Sequence, residues 1–230
     1  PGPPVFPCFD RDSILQRMND RGISWHYYQE YGGSGLWHAA DAIENIRHSP
    51  SYANVEWPSS AILQDIGRQT LADVSFVTPS AAESDHAGKN DGTGPSWVAS
   101  IVNAVGRSEY WNNTAIVVTW DDWGGWYDHV PPTIFNSYEL GFRVPMIVVS
   151  PYAKPNYVSH VRYEFGSILK FIEETFRLPS LNTTDARATD LSDCFNFGSR
   201  ARAFRPIAAK YSAEYFERRP VDYESPDDDQ

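Results

Sequence analysis

The chain has 230 residues, 41% of them hydrophobic, which is enough for one domain with a sizeable core. Its net charge of −11 argues against nucleic acid as a partner, because phosphate backbones are held by clustered Lys and Arg. No apolar run approaches the roughly 20 residues that span a bilayer, so the sequence reads as soluble.

The start, PGPPVFPCFD, carries no signal peptide and reads as the middle of a chain, so a processed or truncated product is expected. Ser13–Gly22 spaces Ile14, Leu15 and Met18 for one helical face and ends on a Gly cap. Residues 23–28 read as a strand. The Gly-rich loop Gly32–Gly35 lacks the spacing of a nucleotide site. Leu36–Arg47 has a helical apolar pattern through Trp37, Ala40, Ile43 and Ile46, and Ser60–Ala72 reads as another helix behind Ser59 and Ser60 as candidate caps. Val74–Val77 is a short strand, Glu83–Pro95 a polar loop and Ser96–Val105 a helix. Thr114–Thr119 and Val144–Val149 are apolar strands, and Phe165–Phe176 is a helix with Ile168, Phe171, Ile172 and Phe176 on one face. Strands alternating with helices predict an α/β fold with a mainly parallel sheet flanked by helices. Residues 217–230 form an acidic tail without a repeating apolar face, expected to be extended or disordered.

The stretch TAIVVTWDDWGGWYDH, Thr114–His129, carries the clearest chemical signal. A β-branched run ends in the adjacent carboxylates Asp121 and Asp122, followed by a Gly124-Gly125 turn. Neighbouring carboxylates repel, and a divalent cation with its preference for oxygen ligands offsets that repulsion. The plainer alternative is that Asp121 caps the turn and Asp122 is solvated. Asp85-His86 after the strand at Val74–Val77, Asp128-His129 beyond the Gly turn and Ser159-His160 after the strand at Val144–Val149 are further polar clusters. At the carboxyl edge of an open parallel sheet they would all face one crevice. Asp and His converging from several loops suit metal-assisted hydrolysis, in which a cation polarises phosphoryl oxygens. His86 in its Gly-flanked loop is the histidine hardest to explain as core. His160 reads as structural and His48 as surface, while His26 and His38 could line the cleft.

Cys8 and Cys194 are too few for a disulfide scaffold, and whether they bridge depends on a Cα distance that sequence does not give. Asn112-Asn113-Thr114 and Asn182-Thr183-Thr184 match the glycosylation acceptor pattern, which matters only in a secreted eukaryotic protein.

The stretches PCFDRDSILQRMNDRGISWHYY, SDHAGKNDGTGPSWVASIVNAVG, TAIVVTWDDWGGWYDHVPP, GFRVPMIVVSPYAK, YEFGSILKFIEETFRLPSL and ATDLSDCFNF run in order from about Cys8 to Phe197. In that order they resemble the bacterial phosphoesterase family that contains phospholipase C and acid phosphatases of the alkaline-phosphatase superfamily. The resemblance implies an alkaline-phosphatase-like fold, incomplete at its N-terminus, with residues 1–216 as the C-terminal part of a phosphoesterase domain. By that resemblance Asp121 and Asp122 look like paired acidic metal ligands and His86 like the histidine that contacts the phosphoryl group. Asp85 and His129 lie beside these in matching motifs as further catalytic candidates. The second acidic position is often Glu in the family, and Asp122 keeps the carboxylate. Family members also carry a Glu-Asn motif and a Ser or Thr nucleophile ahead of the segment matching Cys8, and this sequence has neither there.

The leading expectation is therefore a metal-dependent hydrolase of phosphoric esters, acting on a phospholipid or a small phosphomonoester. Its cofactor would be a divalent ion (Ca, Zn, Mg or Mn), and an N-terminal fragment of the same precursor would supply the nucleophile and the remaining ligands. The resemblance also implies a secreted or periplasmic location. Contact with a membrane surface through Trp120, Trp123 and Trp126 is left open. The competing expectation is a catalytically inactive extracellular binding or assembly module on the same scaffold, using its aromatic surface.

Overall fold

The computed structural model describes residues 8–33, 35–89 and 91–224. The PGPPVF start, Ser34 within the Gly-rich loop, Asn90 within the polar loop and residues 225–230 of the tail lie outside the described residues. The architecture is α/β. Helix α1 spans Ile14–Arg21, and the Ser13 hydroxyl at its N-cap accepts the Gln16 N–H at 3.3 Å. Gly22 closes the helix at φ 65°, in the left-handed region where glycine carries no steric penalty. Strands β1 (Trp25–Tyr28), β2 (Val55–Glu56) and β3 (Val74–Val77) form a parallel sheet in the order β2-β1-β3, with α2 (Glu44–Arg47) and α3 (Ala61–Arg68) in the connections.

The predicted helix over Leu36–Arg47 is broken. A 3-10 turn at Ala39–Ala42 gives way to extended backbone at Ile43 before α2 begins. The cause is a β-bridge to Phe9: its N–H donates to the Ala42 carbonyl at 2.7 Å, and its carbonyl accepts from the Glu44 N–H at 3.1 Å. Helix propensity is a weak preference, and tertiary pairing overrides it here.

Helix α4 (Thr93–Arg107) starts before the predicted Ser96 and ends after Val105, and β4 (Ile116–Thr119) pairs with β5 (Met146–Val149). That pair is antiparallel, in register from Ile116 against Val149 to Thr119 against Met146. The expectation of a mainly parallel sheet thus holds for β1–β3 and fails for β4 and β5, which form a separate two-stranded ladder among the described residues. An apolar β-branched run looks the same in either direction, so the sequence carries no sign of strand polarity here.

Helix α5 occupies the predicted Phe165–Phe176, its Glu164 and Ser167 forming a reciprocal capping box. Helices α6 (Thr184–Arg187) and α7 (Ala213–Glu217) follow. One core lies on the Trp25 and Tyr27 face of the parallel sheet with α1, while Tyr28 faces a second core with α3, α4 and Phe216. The predicted apolar face of α5 splits between two clusters. Ile172 and Phe176 pack on the Trp25 core, whereas Ile168 and Phe171 pack on Leu191, Cys194 and Phe195. Cys8 is exposed and Cys194 buried, and both are free thiols. The first part of the tail runs over the protein to Glu224: the Asp222 N–H donates to Glu30 at 2.9 Å and Arg219 pairs with Glu83 at 3.1 Å.

Asp185, 1% exposed, anchors the start of α6. Burial pushes its carboxyl up, but hydrogen bonds from the Ser180 hydroxyl and from the Thr183 hydroxyl and N–H more than offset this and hold it at about 2. A carboxylate depressed in the fold stabilises it above the ordinary value of about 3.9, and that contribution fades as pH falls toward the folded value. Asp185→Asn is therefore expected to cost about 2 kcal/mol at pH 7 and clearly less near pH 2 to 3, read from urea unfolding at both pH values.

Candidate functional site

The Asp85-His86 loop is built by the exit from β3. Ala81–Glu83 form a 3-10 turn, the Ser84 hydroxyl donates to the Ala81 carbonyl at 2.8 Å, and the same oxygen accepts the His86 N–H at 3.2 Å. Asp85 follows at φ 60°, a left-handed conformation that Asp tolerates better than most residues, and its side chain is exposed. The loop presses on the first turn of α4. A Cβ on Gly94 would lie 2.8 Å from the Asp85 Cβ and 3.0 Å from its backbone nitrogen, so only glycine permits this approach. The Asp91 carboxylate accepts the Thr93 N–H at 2.9 Å, and the Thr93 hydroxyl and N–H hold that carboxyl below its usual range. His86 is half-buried, with Nδ1 3.1 Å from the Ala87 carbonyl.

Asp121 and Asp122 follow β4 after Trp120, both exposed. The Asp122 carboxylate accepts the Gly124 N–H at 2.6 Å, a turn made possible by Gly124 at φ 59° and Gly125 at φ 75°. The predicted turn-capping role thus falls to Asp122. Asp128 is clamped by Arg143, whose Nε and Nη2 both donate to it at 2.7 Å, and this guanidinium holds the Asp128 carboxyl far below the usual carboxylate range. His129 is exposed and meets the Tyr127 ring edge-on at 5.3 Å.

One crevice fed by every strand end is not what the strand directions give. Because β5 runs antiparallel to β4, Ser159-His160 does not leave the same edge as Asp121 and Asp122. Ser159 is instead tied into the 3-10 turn at Ser192–Cys194, its hydroxyl donating to Asp193 at 2.6 Å, and His160 is exposed. His48 is on the surface. His38 is a core histidine, 5% exposed, with Nδ1 2.7 Å from the Gly33 carbonyl and its ring against Tyr31.

Among the described residues, two sets of three ligand-type side chains lie within mutual reach: His26–Glu56–Asp65 and Cys8–Glu44–His48. Asp121 and Asp122 belong to neither, so they offer a metal two carboxylates rather than a closed shell. Their chemistry still suits a hard cation: both are exposed oxygen donors at adjacent positions. Sequence reading missed Glu30 and Glu83, buried carboxylates beyond β1 and β3. The Ser59 hydroxyl donates to Glu30 at 2.9 Å, and burial pushes the Glu83 carboxyl up despite the Arg219 guanidinium beside it. The signal for Glu30 was its place directly after the YYQ strand end; for Glu83 there was none.

The sequence profile of the phosphoesterase family matches residues 3–179. The chain is 28% identical over 236 residues to phospholipase C A of Mycobacterium tuberculosis, an alignment covering 83% of this chain and 44% of that protein. It is 26% identical over 241 residues to the non-hemolytic phospholipase C of Pseudomonas aeruginosa, covering 85% of this chain and 34% of that one. Non-specific phospholipase C1 of Arabidopsis thaliana is 23% identical over 223 residues, covering 84% and 42%. The chain spans less than half the length of these relatives.

Proposed function

The chain belongs to the phosphoesterase family, and from that premise we propose that it forms part of the site of a metal-dependent phosphoric-ester hydrolase. The observation that carries this reading is the family match over residues 3–179, which takes in both the Asp85-His86 loop and the Asp121–Asp122 pair. Relatives named phospholipase C support a phospholipid or a related phosphoester as substrate. A divalent cation, when bound, would polarise phosphoryl oxygens and lower the cost of the charge that develops on them.

Asp121 and Asp122 would hold that cation at the β4 exit. His86 would steady a phosphoryl oxygen or protonate the leaving group, carried on the loop whose Asp85 meets the amino end of α4. Asp85 would fix the loop that carries His86, through its contact with Gly94. His129 would face the substrate from the exposed side of the Gly turn. The nucleophile and the remaining metal ligands would come from sequence outside this chain, as expected of a chain shorter than half its relatives. A secreted or periplasmic setting accords with a phospholipid substrate.

The assay that tests this reading uses a longer polypeptide in which this chain is joined to the segment that supplies the nucleophile, and compares its hydrolysis of phosphatidylcholine and of p-nitrophenyl phosphate before and after chelation. Loss of turnover with chelator and its return with one divalent ion is the expected result. Turnover indifferent to chelation would remove the metal from the proposal. A second reading, a non-catalytic binding module, is favoured by the exposed aromatics of the loop after β4, with Trp126 73%, Tyr127 74% and Tyr138 95% exposed. It predicts neither turnover nor metal dependence.

A further inference from the structure

We propose that His26, Glu56 and Asp65 form a zinc-type cation site that fastens β1, β2 and α3 together, separate from the site proposed above. The three side chains come from different elements, β1, the end of β2 and the middle of α3. Their ligand atoms lie within 4.8 Å of one another. His26 Nδ1 is 3.3 Å from Glu56 Oε1 and 3.6 Å from Asp65 Oδ2. Ligands at about 2.0–2.2 Å from a tetrahedral zinc stand roughly 3.3–3.6 Å apart, so these spacings need little adjustment on binding. Imidazole nitrogen and carboxylate oxygen are both donors that zinc accepts, and three of them leave a fourth position for water or a substrate group.

The surrounding groups hold one of these ligands, Asp65, in place. The Asp65 carboxylate accepts the Tyr28 hydroxyl at 2.7 Å on Oδ2 and the Thr70 hydroxyl at 3.0 Å on Oδ1. Such outer hydrogen bonds orient a ligating carboxylate. The Tyr28 oxygen also lies 2.9 Å from His26 Nδ1, a contact that Nδ1 gives up when it takes the ion, and the two rings meet edge-on at 5.6 Å. The side chains of His26, Glu56 and Asp65 are 23%, 32% and 13% exposed, so an ion reaches them from solvent without unfolding.

Zinc titrated into the untagged, chelator-stripped chain, followed by calorimetry and thermal unfolding, tests the site. The expected result is one tight equivalent at this site, with melting raised by about 5–10 °C at zinc 100-fold above Kd. His26→Gln and Glu56→Gln should each weaken that equivalent at least tenfold, with unchanged far-ultraviolet circular dichroism. Cys8→Ser, which breaks the exposed Cys8–Glu44–His48 set, and Asp121→Asn with Asp122→Asn should leave it intact. Cobalt in place of zinc should give a tetrahedral visible spectrum that is lost with Glu56→Gln, a readout independent of stability. Zinc binding equal in His26→Gln, Glu56→Gln and the parent chain, its loss with Cys8→Ser, or no binding at millimolar zinc would overturn the proposal.

Discussion

Replacing Asp121 and Asp122 together by alanine is expected to lower phosphoester hydrolysis by about 10²- to 10⁴-fold while the fold survives. The size follows from the several kcal/mol of transition-state charge stabilisation that a bound cation supplies, at roughly 1.4 kcal/mol per factor of ten. Survival of the fold follows from position. Both side chains are exposed at the end of β4, and removing them relieves a like-charge repulsion while deleting surface contacts such as the turn hydrogen bond from the Gly124 N–H to Asp122. Those two changes oppose each other and are each about 1 kcal/mol or less. Asp122→Asn separates the possible roles. The amide oxygen still accepts the Gly124 N–H, so a turn-forming Asp122 would tolerate the change, whereas a metal-ligating Asp122 would lose most of its affinity for a hard cation. The readout is kcat/KM on phosphatidylcholine in the polypeptide that turns it over, beside circular dichroism. Full activity in the double variant would end the assignment of these residues as ligands.

The sequence made some elements legible because they obey local rules. Helix α1 lies between a Ser that accepts a backbone N–H and a Gly at positive φ, and α5 coincides with its predicted limits because its apolar spacing and capping box agree. What escaped was set by distant partners. Phe9 turns a helical pattern into an extended residue at Ile43, and the direction of β5 against β4 depends on chain path rather than on residue type. The candidate site follows the same division. Asp121-Asp122 and Asp85-His86 were visible as pairs of neighbours in sequence. Glu30 and Glu83 were not, because only the fold buries them and brings Arg219 and the Asp222 N–H from the far end of the chain. The cluster of His26, Glu56 and Asp65 was hidden for the same reason: its members are 30 and 39 positions apart and meet only when β2 and α3 pack beside β1.

Trp25→Ala is expected to be the most damaging single change to stability, by about 3–5 kcal/mol, a large part of the 5–15 kcal/mol typical of a whole domain. Trp25 is 1% exposed in the central strand of the parallel sheet, packed among Ile14, Met18, Ile46 and Leu178. Its indole N–H donates to the Asn19 side chain at 2.8 Å, which links the strand to α1. Truncation would leave a cavity where the helix meets the sheet, and the neighbours come from elements too constrained to collapse into it. The loss would extend beyond that core. On β1 the alternate residues His26 and Tyr28 face the opposite side, so a strand that shifts to fill the gap also displaces the cluster formed with Glu56 and Asp65. Urea unfolding should show a lower midpoint with little change in slope, and Trp25→Phe should recover part of the loss, since it keeps most of the ring volume but not the hydrogen bond. If zinc uptake weakens in Trp25→Ala and returns in Trp25→Phe, the two faces of β1 are mechanically coupled. Uptake unchanged at reduced stability would mean that the strand keeps its register and the damage stays on the Trp25 side.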